Sequence, residues 1–168
     1  MKNKIFLGTL VLMFNVSVMA TESNGKLCPE LDGRYDRCYS EIKQMRGEYI
    51  IDQQDQNGID VFKVQFVDDE TDESRTDMIY ADGRIEKRKE RVPVIGIKVN
   101  VESKSSCKNQ KVITEADAYA VFNRRVGEFT TTLERNKNQL IMLIKGQYIG
   151  RSINKIIKCQ MVGTPIEK

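Results

Sequence analysis

Apolar and polar residues alternate with a period of two along most of this chain, the pattern of strands buried on one face. The clearest unit is residues 48–56, then Asn57-Gly58, then residues 59–67. Asn-Gly supplies the positive φ that both central positions of a type I′ hairpin turn require. That turn sets Tyr49 opposite Phe66, Ile51 opposite Val64 and Gln53 opposite Phe62 on an apolar face. Asp52 then meets Lys63 on the wet face. Asp82-Gly83 predicts a second hairpin, with Tyr80 facing Ile85, Asp77 facing Arg88 and Arg75 facing Glu90. Its apolar side is thin (Met78, Tyr80, Ile85), which suits an edge or a projection from the body. Residues 95–102 alternate as a half-buried strand after Pro93. Residues 128–135 and 139–149 predict a third hairpin with its turn at Asn136-Lys137. Phe129, Leu133, Leu140, Met142 and Ile144 share its apolar face. Residues 153–162 are the last strand.

One stretch has two readings. Thr114-Glu115-Ala116-Asp117 can cap a helix that runs to Arg124-Arg125, with Gly127 past its end. The same residues can continue a strand from Lys111. Together, about eight strands in sequence order predict an all-β fold. The expected architecture is an antiparallel up-and-down meander closed as a barrel, with a sandwich as the other way to remove its edges and one short helix near 114–126 as the alternative to a strand there.

The N-terminal segment breaks the alternation. Lys2 and Lys4 precede an apolar run from Ile5 to Val16, and Val18-Met19-Ala20 ends it with residues a signal peptidase accepts. The run is too short to span a bilayer as a helix. It reads as a signal peptide, residues 1–20, cleaved after Ala20. A flexible stretch (21–27), one disulfide-stapled β-domain (28–162) and a tail (163–168) are expected to follow. The protein is therefore expected to be exported, periplasmic or secreted. Of 27 basic residues against 24 acidic, two leave with the leader. The mature chain is then close to neutral, which removes whole-chain charge as a sign of nucleic-acid binding.

An exported address makes Cys28, Cys38, Cys107 and Cys159 two disulfides. Three pairings are open; Cys28–Cys38 and Cys107–Cys159 are favoured, the first closing a short local loop. No C-x-x-C pair exists and the chain has no histidine. Those two facts argue against a zinc site and remove every histidine-based catalytic arrangement. Three S-x-x-K matches, starting at Ser40, Ser105 and Ser152, lack the companion motifs of the acylating enzymes. The acidic run 68–73 and Asp55-Gln56-Asn57-Gly58-Ile59-Asp60 are calcium candidates without the spacing of an EF-hand loop. Lys87-Arg88-Lys89-Glu90-Arg91 and Arg124-Arg125 read as solvated faces. No metal, cofactor or catalytic residue is assigned, and the chain is read as a non-enzyme.

Leu31-Asp32-Gly33-Arg34-Tyr35, near the start of the domain, resembles the opening of the lipocalin (calycin) group. That family begins on a Gly-x-Trp strand and packs a late arginine across it. Gly33-Arg34-Tyr35 takes that place with tyrosine for tryptophan, and Arg151 is the candidate late arginine. The resemblance implies an up-and-down barrel with a cavity for a small apolar or amphipathic ligand. Candidate lining residues are Tyr49, Ile51, Phe62, Val64, Phe66, Phe129 and Met142. The alternatives are a solid-cored structural or interaction module, with an envelope protein as partner, and an outer-membrane barrel. The last has the same alternation with its faces exchanged. The 30% charged content argues against it.

Overall fold

The fold comes from a computed structural model, which describes residues 28–40, 47–91 and 98–163. The segments read as signal peptide, N-terminal stretch and most of the tail lie outside them, as do Pro93 and residues 95–97. The described residues form ten strands: β1 (Gly33–Ser40), β2 (Glu48–Gln56), β3 (Ile59–Val67), β4 (Ser74–Tyr80), β5 (Asp82–Arg91), β6 (Lys98–Lys108), β7 (Lys111–Tyr119), β8 (Arg125–Asn136), β9 (Gln139–Tyr148) and β10 (Arg151–Gly163). All pair antiparallel in one sheet, ordered β4-β3-β2-β1-β10-β9-β8-β7-β6-β5. This is an up-and-down meander rolled into a nearly closed barrel. The first and last strands pair, and β4 and β5 are the two edges that face each other.

The β2–β3 hairpin takes the register its turn dictates. Tyr49 pairs Phe66, Ile51 pairs Val64, Asp52 pairs Lys63 and Gln53 pairs Phe62. Asn57 and Gly58 have φ of 57° and 81°, as a type I′ turn needs. The β8–β9 hairpin forms too, one residue later than expected. Asn136 pairs Gln139, so Lys137-Asn138 is the turn. Leu133 therefore meets Met142 instead of Leu140, and because the pairing shifts by two the same residues stay on one face. The two-way stretch is a strand. Residues 111–119 form β7 along β6 and β8, and only a single 3-10 turn, Val121–Asn123, follows. Alternation there buries Val112 and Ala118 inside the barrel, which a helix on the surface would not do.

The hairpin expected at Asp82-Gly83 is the main correction. No backbone ladder joins β4 to β5; β4 pairs β3 over its whole length and β5 pairs β6. The expected charge partners nevertheless meet. Arg75 Nη2 lies 2.8 Å from Glu90 Oε1, and Arg88 Nη1 lies 3.3 Å from Asp77 Oδ1. Arg75 and Asp77 pair in register with Phe66 and Val64, and Glu90 and Arg88 with Val99 and Val101, so all four share the inward face. A closed ladder would bury them all, and buried charge is costly even when paired. The strands stay apart and water keeps access. Tyr80 packs on Arg84, whose guanidinium sits 4.5 Å from the ring centre, while Ile85 is exposed.

The core is concentrated at one end of the barrel, the base, which carries the β2–β3 and β8–β9 turns. Leu31, Tyr35, Ile51, Phe62, Val112 and Leu140 are buried there. Residues 28–31 lie across this end as a plug. The Tyr35 hydroxyl donates to the Leu31 carbonyl at 2.7 Å. The Leu31 N–H donates to Gln53 Oε1 at 2.9 Å, and the Gln53 N–H donates to Asp32 Oδ1 at 3.0 Å. A glutamine on an otherwise apolar face is thus the plug's anchor. A smaller cluster, Val99, Val101 and Ala118, sits nearer the mouth, the opposite end.

The disulfides join Cys28 to Cys107 and Cys38 to Cys159, with Cα atoms 4.8 and 4.1 Å apart. Both favoured pairings, Cys28–Cys38 and Cys107–Cys159, are therefore overturned. Cys38 rides five residues up the extended β1 from Gly33, roughly 17 Å at strand spacing, while Cys28 stays in the plug. The register shift between Asp36 and Tyr39, with Arg37 at φ 48°, turns Cys38 inward opposite Cys159 on β10.

Candidate functional site

A cavity of about 410 Å³ lies above the base core and reaches the surface at the β4–β5 seam. Alternation decides its two walls. On β2 and β3 the inward residues are Tyr49, Val64 and Phe66, and Met142 and Ile144 on β9 face them. These make an apolar wall. Tyr49 and Phe66 hold each other, with ring centres 4.9 Å apart. At this level the inward positions of β6–β8 carry small polar groups instead. Ser103, Ser105, Thr114 and Thr131 line this side, and the Ser105 and Thr114 hydroxyls share a hydrogen bond of 2.8 Å. Pairing the two hydroxyls satisfies them without water.

Charge gathers where the walls meet. Arg75 and Asp77 of β4 and Arg88 of β5 border the cavity, and Glu90 completes their network. Arg88 Nε lies 3.1 Å from Glu90 Oε1, and Arg75 Nε lies 3.4 Å from Asp77 Oδ2. Glu86 lines the same side beside Ser103. Burial pushes its carboxyl above the ordinary value, and the Arg88 and Arg84 guanidiniums pull it back in part. Burial likewise raises the Tyr49 hydroxyl, with Arg75 opposing. The cavity can therefore hold an apolar body against β2, β3 and β9 while a polar end faces the seam. Two other hollows, over β5–β9 and over β5–β7, lie on the charged outer surface.

Of the seven lining candidates, Tyr49, Val64, Phe66 and Met142 border this cavity. Ile51 and Phe62 do not; both are wholly buried in the base core, one layer deeper. Phe129 packs with the cluster near the mouth and stands 6.2 Å from the Tyr148 ring. Sequence reasoning missed the polar wall and the seam. Alternating Ser103, Ser105 and Thr114 look like an outward face, because a cavity wall and a solvent face have the same polarity. The late arginine is not where the resemblance puts it. Arg151 pairs Tyr148 at the mouth end of β10, ten residues from Met161, the partner of Tyr35. The cation whose field reaches Tyr35 is Arg135.

The other motifs are absorbed by structure. Residues three apart in a strand point to opposite faces, so Ser152 and Lys155 on β10, and Ser105 and Lys108 on β6, cannot act as pairs. Asp55 accepts from the Gly58 N–H at 2.8 Å and shapes the β2–β3 turn. Asp68 accepts from the Glu70 and Thr71 N–H groups at 2.8 and 3.1 Å. No group of three metal-binding side chains occurs among the described residues.

Neither a family model nor a curated protein matches the chain. Among solved structures, the crystal structure of secretory abundant heat soluble protein 4 from Ramazzottius varieornatus is similar. Its TM-score is 0.44, with 12% sequence identity over 71% of this chain and 73% of that one.

Proposed function

We propose that this chain is an exported, non-enzymatic barrel that holds one small apolar or amphipathic molecule in its cavity. The cavity itself carries the reading. At about 410 Å³, with one apolar and one polar wall, it falls in the range of small-molecule sites. A solid module would have filled those positions with interlocking side chains. Two disulfides fit an oxidising environment, which supports export. The outer face carries cross-strand ion pairs, among them Lys87–Glu102, Lys104–Glu115 and Lys111–Glu134. Such a face supports a barrel standing in water and not in lipid, where outward positions would be apolar.

Native mass spectrometry of protein purified from its own compartment tests this reading. A co-purifying small mass, lost on gentle activation, is the expected result. The bare mass, together with no uptake from a mixture of fatty amines, fatty acids and sterols, would reject the proposal.

A further inference from the structure

The β9–β10 turn departs from its own fold's practice. Tyr148 pairs Arg151, so Ile149 and Gly150 are the central residues, with φ of 47° and 73°. The β2–β3 turn uses Asn57-Gly58 for the same geometry. A β-branched residue in the left-handed region is a true outlier, and Ile149 gains little burial there, being 61% exposed. Phe122 repeats the anomaly in the β7–β8 turn. Its backbone is left-handed, φ 60° and ψ 31°, and its side chain is 98% exposed. The two turns belong to one rim of the mouth: the Ile149 N–H donates to the Val126 carbonyl at 2.8 Å, and Gly127 pairs Tyr148. Two large apolar side chains are thus held into solvent on backbone that Asn or Gly would adopt more easily. Such strain persists at functional positions. Arg124, Arg125 and Arg151 flank them, all exposed. Asp117 and Glu128 hold Arg125. Arg124 and Arg151 make no ion pair among the described residues.

We propose that this rim docks on an anionic lipid bilayer, with Phe122 and Ile149 entering the headgroup layer and Arg124 and Arg151 pairing with lipid phosphates. Separate protruding tips suit a soft interface. A protein partner needs a broad complementary patch, whereas a bilayer accepts single apolar anchors flanked by cations. The acidic β3–β4 turn, residues 68–73, lies at the same end on the opposite wall. An anionic surface repels it, so the barrel tilts onto the β7–β10 side in one orientation.

The chain has no tryptophan, so Phe122→Trp installs a single reporter in the intact protein. Phosphatidylcholine vesicles with about 30 mol % phosphatidylglycerol should shift its emission to the blue and bind about tenfold more tightly than neutral vesicles. In that background, Ile149→Asn and the pair Arg124→Gln/Arg151→Gln should each weaken partition about fivefold or more. Residues 1–27 are common to every variant and cancel in the comparison. Ile149→Asn relieves the strained turn and should hold or raise the melting temperature, which separates lost docking from lost fold. The proposal is overturned by an unshifted emission at millimolar anionic lipid, or by unchanged partition in the Ile149→Asn chain. A blue shift that appears only when other envelope proteins are added would also overturn it.

Discussion

Tyr35 shows how one side chain can hold both a core and a closure. Its ring is fully buried and its hydroxyl donates to the Leu31 carbonyl, tying the plug to β1. Tyr35→Phe should cost about 1–1.5 kcal/mol, because it strands a buried carbonyl; urea unfolding reads the change. Burial raises the hydroxyls of Tyr35 and Tyr49 above 10.0, with Arg135 and Arg75 opposing. The folded state therefore keeps protons that the unfolded chain has released. Stability is whole below pH 10 and should fall as pH rises toward the raised values. Tyr49→Phe should flatten that decline in denaturation series at alkaline pH. The importance of Tyr35 could be sensed in the Gly33-Arg34-Tyr35 triplet. The cation beside it could not, since Arg135 on β8 comes near only once β10 and β9 have paired back onto β1.

Hairpins were legible wherever turn chemistry and face polarity agreed. Asn57-Gly58 and the apolar face of Tyr49, Ile51, Phe62 and Val64 give one register, and the barrel has it. Asp82-Gly83 had equally good turn chemistry but a charged inward face. The side chains of Arg75, Asp77, Arg88 and Glu90 meet as their spacing demands, while the backbones stay unzipped. Local signals fix which residues oppose each other; burial decides whether the ladder closes. Close approach of strands also has a point of failure at Gly146. A Cβ there would lie 2.1 Å from the Glu128 carbonyl oxygen and 2.9 Å from the Phe129 Cα. Both are backbone atoms that cannot swing aside. Gly146→Ala should therefore destabilise by about 2 kcal/mol or more. Gly58→Ala meets no atom and should lose about 1 kcal/mol, through its φ of 81° alone. Thermal melts of the two variants distinguish a clash from a conformational cost.

At the scale of the molecule, everything turns on which strands close the sheet, and that was the least legible feature. Pairing of β1 with β10 brings Cys38 to Cys159, and the plug brings Cys28 to Cys107. The bridged pairs lie 121 and 79 residues apart. No local pattern announces contacts of that range, which is why proximity in sequence favoured Cys28–Cys38. By the chain-entropy model each bridge contributes up to about 4–5 kcal/mol. Reduction should lower the melting temperature sharply, and non-reducing peptide maps should join Cys28 to Cys107. The cavity follows from the same closure. Its apolar wall was readable as alternation, its polar wall was not, and together they enclose the proposed site in a barrel packed mainly at its base. A saturation titration with a fluorescent amphiphile, 1-anilinonaphthalene-8-sulfonate, on the native protein and on Met142→Trp tests this most directly. The cavity predicts a single saturable site, displaced by excess unlabelled amphiphile and lost in a folded Met142→Trp variant. Non-saturating binding, or one equally strong after the cavity is filled, would contradict it.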